Sequence, residues 1–176
     1  MNANNRNKIL FERPDLNELT KKYTVVDLHF HSHYSDGYNG VDRIVKRARD
    51  LGIGIAITDH NEIKGAVELD SYGGILSIPG IEVTSAEGTH LLVYFYEIKC
   101  LEEFYKKDVK PNMGNDIMSS THLEMEDLIT RARTFDTIVI FPHPYCATFT
   151  GIHNKYFPDE RRDRLFEMAD GVEVIN

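Results

Sequence analysis

Regular alternation of apolar and polar positions begins near Tyr23. Over residues 25–31, Val26, Leu28 and Phe30 fall on one side of a strand, and Asp27, His29 and His31 fall on the other. Ser35 to Gly40 carry turn chemistry, with Asp36-Gly37 and Asn39-Gly40 inside six residues. A helix is predicted over 41–51, where Val41, Ile44, Val45, Ala48 and Leu51 share one stripe, and Gly52 stands where a left-handed residue ends a helix. Residues 54–60 read as a second strand, apolar until its polar end, as expected of a strand covered on both faces. A short helix over 62–70 follows. A third strand over 75–83 is interrupted by Pro79-Gly80, and a fourth covers 89–96.

Residues 97–120 read as an irregular excursion over the mouth of the fold, marked by Pro111, Gly114 and Ser119-Ser120. Thr121-His122-Leu123-Glu124 has capping-box form at the head of a helix whose Leu123, Leu128, Ile129 and Ala132 turn inward. A fifth strand over 137–141, a charged helix over 159–169 and a sixth strand over 171–176 complete the pattern. Residues 1–23 form a polar lead-in, in which Pro14-Asp15 can start a short helix with Leu16 and Leu19 facing inward. Strands alternating with helices over short connections predict a parallel α/β domain over residues 24–176.

A chain of 176 residues, 41% of them apolar, is read as one globular domain. Its 20 Lys and Arg against 28 Asp and Glu give a net charge of −8, which argues against sequence-independent nucleic-acid binding, since that rests on neutralising phosphates. No apolar run approaches the roughly 20 residues that cross a bilayer, and the Asn-rich start has no signal-peptide core. Cys100 and Cys146 form no CxxC pattern and read as free thiols. The expectation is a cytoplasmic protein with no membrane partner.

Candidate chemistry gathers at strand ends. His29 and His31, two apart on a strand, project to one side. His60 follows Asp59 at the close of an apolar strand, where an unpartnered pair would be costly to bury. Glu82 ends the third strand, and its two oxygens could each take an ion. Glu87-Gly88 can turn the chain back as a hairpin, bringing His90 near Glu82. His143 lies between Pro142 and Pro144, which stop the strand and fix its exit. Asp36, in the loop after His31, can reach the same region. His33, His122 and His153 read as surface residues. Imidazole and carboxylate are ligands for zinc, manganese or iron. In a (β/α) barrel, the C-terminal strand ends carry the active site.

These motifs, in order, resemble those of the PHP (polymerase and histidinol phosphatase) family. They are Asp27-Leu28-His29-Phe30-His31, Ser35-Asp36-Gly37, Thr58-Asp59-His60-Asn61, Gly80-Ile81-Glu82, His90-Leu91-Leu92 and Phe141-Pro142-His143-Pro144. The resemblance implies a distorted (β/α)7 barrel, incomplete here at its C-terminal end, with up to three divalent ions (Zn, Mn or Fe). It implies that His29 and His31 hold one ion with Glu82, that Glu82 bridges to a second ion held by His90 and His143, and that His60 with Asp36 serves a third. Asp59 is implied as the catalytic candidate, either handling a proton or orienting a ligand.

The family continues to a seventh strand ending in an Asp-x-His motif, which this sequence does not contain, so the first and third ions would each lack one ligand. The expected function is hydrolysis of a small phosphorylated substrate by a hydroxide bridging two ions. The alternative is a degenerate PHP module that binds metal in a structural or regulatory role. Amidohydrolase-type chemistry suits a His-x-His barrel too, but the order of the later motifs favours PHP. An exposed strand at 171–176 would offer an edge for homo-oligomerisation.

Overall fold

A computed structural model of the chain describes residues 14–146, 148 and 150–174. The elements in chain order are α1 (Leu16–Lys22), β1 (Val26–Phe30), α2 (Val41–Leu51), β2 (Gly54–Ile57), α3 (Lys64–Asp70), β3 (Gly80–Thr84), β4 (His90–Phe95), α4 (Ile98–Phe104), α5 (Met125–Ala132), β5 (Thr137–Phe141), α6 (Asp159–Met168) and β6 (Gly171–Val172). α1 lies in the lead-in, capped by the Asp15 side chain, with Leu16 and Leu19 half-buried.

The fold is mixed α/β, but the sheet is neither continuous nor all parallel. β1 and β2 pair in parallel, while β3, β4, β5 and β6 form a second sheet in that order. β4 runs antiparallel to both β3 and β5, which corrects the expectation of a parallel sheet. The cause is the Glu87-Gly88 hairpin: Gly88 takes φ 84, a conformation open to glycine, and the chain returns directly beside β3. Two isolated parallel bridges, Ile55 to Ser77 and His60 to Glu82, join the sheets between β2 and β3. No pairing links β1 to β6 among the described residues, so the barrel is not closed there. The sixth strand is shorter than expected, and Ile175 and Asn176 lie outside the described residues.

Side-chain alternation sorts the core into layers. Outward-facing Ile81, Val83, Leu91, Val93, Phe95, Val139 and Phe141 meet α4, α5 and α6 in the larger cluster. α2 and α3 cover β2 on its other flank through Ile44, Val45, Leu69, Ile55 and Ile57. Ala56, Leu92 and Tyr94 fill the interior below the strand ends. Gly52 ends α2 at φ 68, as the pattern predicts. Leu28 departs from the alternation: it is 46% exposed, and the β1–β2 register shifts between Asp27 and Phe30, on either side of it.

Residues 97–120 are more regular than their composition predicts. Leu101, Phe104 and Val109 are fully buried, and burial of each is worth roughly 1.5–3 kcal/mol. That spacing folds 98–104 as α4, followed by a π-turn over Tyr105–Val109 and a 3₁₀ turn over Lys110–Asn112. The capping box also fails to form. α5 starts after Glu124, whose side chain makes no cap bond, while Thr121 Oγ1 donates instead to Thr84 O at 2.8 Å.

Candidate metal centre

The seven expected ligands meet at one end of the open barrel. Glu82 points inward from β3 and is completely buried. Five imidazoles converge on its carboxylate. Oε2 lies 3.4 Å from His29 Nε2, 2.9 Å from His31 Nε2 and 3.1 Å from His60 Nδ1. Oε1 lies 2.9 Å from His90 Nδ1 and 3.2 Å from His143 Nε2. Pairing of Thr84 with His90 puts His90 two residues from Glu82 on the same face, which is the hairpin placement predicted from sequence. Asp36 approaches from the rim, 2.6 Å from His31 Nδ1 and 3.6 Å from His60 Nε2. His29, Phe30, His31, His60, Glu82, His90 and His143 line a pocket of about 260 Å³ above the cluster.

The donor set fits divalent cations. His31 Nε2, His60 Nδ1 and Glu82 Oε2 are buried and make no hydrogen bond, although the two nitrogens lie 2.9 and 3.1 Å from that oxygen. Atoms so placed converge on shared points rather than pairing as donor and acceptor, and leaving them so without a cation is costly. Three ligand groups arise: His29, Glu82 and His143; His31, Asp36 and His60; and His60, Glu82 and His90. These groups overlap with the sets the resemblance implies, since Glu82 Oε2 also faces His29 and His31 together and Oε1 faces His90 and His143 together. β1 ends at Phe30, so His31 already belongs to the following loop and turns toward Asp36.

Charge shapes the cluster. Burial favours a protonated Glu82, but the surrounding histidines outweigh it and hold the carboxyl well below its usual range. Burial likewise opposes a charge on His31, yet Glu82 and Asp36 raise it to about 9. His60, buried and flanked by His31 and His90, is pushed down to about 4, so its nitrogens are free of a second proton at neutral pH.

Asp59 sits elsewhere. It does not line the pocket, and its oxygens accept from Ser32 N at 2.7 Å, Ser32 Oγ at 2.7 Å and Ser35 Oγ at 2.6 Å. It ties down the loop that carries His31 and Asp36. Gly65 lets α3 approach this knot, since a Cβ there would collide with Asp59 Oδ2.

Two residues at the site have no role in the sequence reading. Asn61 holds φ 45 and makes three bonds to two segments: its Oδ1 accepts from Thr84 N at 3.0 Å, and its Nδ2 donates to Ile117 O and Ser119 O at 2.8 and 2.9 Å. Its place directly after Asp59-His60 was the available signal. Glu173, just beyond β6, lies 3.1 Å from His29 Nδ1 and accepts from His143 N at 2.8 Å. The sequence Glu173-Val174-Ile175-Asn176 is similar to the strand that PHP family members carry after the His-Pro motif, but nothing in the local pattern gives the carboxylate a partner. His33 and His122 stay outside the cluster. His153 stacks on Tyr145, with ring centroids 4.2 Å apart.

Several known proteins are similar to this chain in sequence or in fold. An uncharacterized protein of Methanocaldococcus jannaschii is 29% identical over 166 residues, covering 85% of this chain and 80% of the relative. A structure from Bifidobacterium adolescentis, assigned as a metal-dependent phosphoesterase, matches with TM-score 0.63 and 17% identity over 85% of this chain and 77% of that one. The lesion-specific endonuclease Q of Pyrococcus furiosus matches with TM-score 0.63 and 23% identity, over 78% of this chain but only 38% of the endonuclease. The PHP domain profile matches residues 27–174, and the chain belongs to the PHP domain family.

Proposed function

We propose that this chain is a metal-dependent hydrolase of phosphate esters, with His29, His31, Asp36, His60, Glu82, His90 and His143 as its ligands. The observation that carries this reading is the fully buried Glu82 carboxylate with five imidazoles around it. No hydrogen-bonding need of the fold explains five histidines on one carboxylate, whereas a polynuclear site does. Zinc, manganese and iron all suit the donor set. Bound ions would supply Lewis-acid polarisation of a phosphoryl oxygen and a water acidic enough to attack at neutral pH.

The protein's own part is positioning. Glu82 offers one oxygen toward His90 and His143 and the other toward His29, His31 and His60, so it can be shared between neighbouring ions. Asp59 holds the His31–Asp36 loop in place, which makes it a positioning residue. Among the described residues the pocket lining contains no Lys or Arg, and bound cations would supply the positive charge that a phosphoryl group needs. A small phosphorylated substrate fits a pocket of about 260 Å³. Net charge alone does not decide against nucleic acid, because a protein sharing this fold is a lesion-specific endonuclease, and an oligonucleotide belongs among the substrates tried.

The experiment is chelation and metal add-back on a panel of phosphomonoesters, phosphodiesters and short single- and double-stranded DNA. The expected result is hydrolysis of at least one member, abolished by EDTA and restored by Mn or Zn. No turnover of any member by metal-loaded protein favours the alternative, a PHP module that binds metal without catalysis.

A further inference from the structure

Glu173 touches two of the histidines but belongs to none of the ligand groups and does not line the pocket. Its backbone is anchored on the second sheet, where Glu173 N donates to Phe141 O at 2.9 Å. Its side chain, 14% exposed, reaches across the unpaired side of the barrel. There Oε1 meets His29 Nδ1 at 3.1 Å, while Oε2 accepts from His143 N at 2.8 Å.

Both contacts bear on ligand geometry. Of the two nitrogens of His29, Nε2 faces Glu82 and Nδ1 faces Glu173. A carboxylate on Nδ1 keeps the proton there, leaves the Nε2 lone pair toward the cluster and fixes the ring's rotation. His143 adopts φ 29, a left-handed conformation that a histidine between two prolines does not favour. The bond from His143 N to Glu173 is one of the restraints that hold it there. One side chain thus sets the ring of a histidine on β1 and the backbone of another after β5.

We propose that Glu173 is the positioning residue of the ligand group formed by His29, Glu82 and His143. The proposal rests on the metal-centre reading above. It has a selective consequence, because the groups containing Asp36 and His90 make no hydrogen bond or ion pair to Glu173. Removing this carboxylate weakens one ion and spares the others. Loss of such an outer partner typically costs about 10–100-fold in metal affinity.

The test is a titration of EDTA-stripped protein with Co²⁺, followed by visible absorption, with bound metal counted by elemental analysis. The variants are Glu173→Ala and Glu173→Gln. Wild type is expected to bind at least two ions. E173A is expected to lose about 10–100-fold in affinity for one ion, with the band of that ion altered and the others unchanged. E173Q keeps one acceptor oxygen for two donors and is expected to fall between. E173Q is isosteric, so it decides the matter where E173A folds poorly. The melting temperature in EDTA separates the roles: a merely structural residue lowers it, whereas a positioning residue chiefly reduces the gain on adding Co²⁺. Wild-type affinities and spectra in both variants overturn the role of Glu173 alone. A wild type that binds no Co²⁺ overturns the metal-centre reading and this inference with it.

Discussion

Between β2 and β3 the two sheets are joined by backbone. Ile55 N donates to Leu76 O, Ile78 N to Ile55 O, Glu82 N to Asp59 O and Asn61 N to Glu82 O. Between β1 and β6 no strand pairing exists among the described residues, and the Glu173 carboxylate spans the gap from the His29 ring to the His143 backbone. The first seam spreads its load over several main-chain groups, of which a substitution other than proline removes none. The second concentrates its load on a side chain that also orients ligands. Stability and metal binding are therefore expected to respond to different residues, the backbone seam governing stability and the clasp governing the metal.

The largest effect belongs to the group both seams serve. Glu82→Gln removes the charge shared by five imidazoles, and it is expected to cut metal affinity by more than the roughly 100-fold upper range for an outer partner. Hydrolysis should disappear with it, and calorimetric metal titration reads the loss. Retention of two tightly bound ions by E82Q would break the account.

Next comes the backbone seam. Asn61→Ala abandons the bonds to Thr84, Ile117 and Ser119 and places a Cβ-bearing residue without them at φ 45. The expected cost is about 3 kcal/mol in urea unfolding of metal-free protein. Asn61→Gly relieves the backbone part and should recover about 1 kcal/mol of it. Equal losses in the two variants would show that φ is not strained here.

Asp59→Asn sharpens the distinction within the site. It replaces one acceptor oxygen of the Ser32–Ser35 knot with a donor, at a cost of about 1.5–3 kcal/mol. The ion near Asp36 should weaken, and the His29 group should not. The reverse pattern in the metal titration contradicts the loop-positioning role.

The smallest effect tests a link outside both seams. Arg161 joins Glu87 of the β3–β4 turn to Glu126 of α5. It holds the Glu126 carboxyl below its ordinary 4.5. Because that value is lowered in the fold, the contribution is full above 4.5 and is lost as pH falls through the lower folded value. Glu126 is a third exposed, so Glu126→Gln should cost under about 1 kcal/mol at pH 7, less at acid pH, and leave metal binding unchanged.

The site was more legible in the sequence than the architecture around it. His29, Glu82 and His143 each sit on or just past a strand whose apolar pattern locates its end, and His90 follows from the Glu87-Gly88 turn. Once the strand ends are placed together, the ligands gather without further information. Which nitrogen faces which oxygen was not legible, because it depends on where β1 stops and how the Asp36 loop returns. The same hairpin that placed His90 also made β4 antiparallel, a consequence that local periodicity does not display. α4 went unread because Lys99, Glu102 and Glu103 interleave with Ile98, Leu101 and Phe104, and the nearby Pro111 and Gly114 mask the helical spacing. The role of Glu173 was invisible for a different reason: its partners lie 30 and 144 residues away, and only the three-dimensional seam brings them together.

The central claim is a polynuclear metal centre organised by Glu82. It is tested most directly by counting the ions bound to EDTA-stripped wild-type protein after reconstitution with Mn or Zn and removal of the excess. Two or more tightly held ions per chain, dropping to one or none in E82Q, are the predicted result. One ion or none in the wild type, or an unchanged count in E82Q, would contradict it.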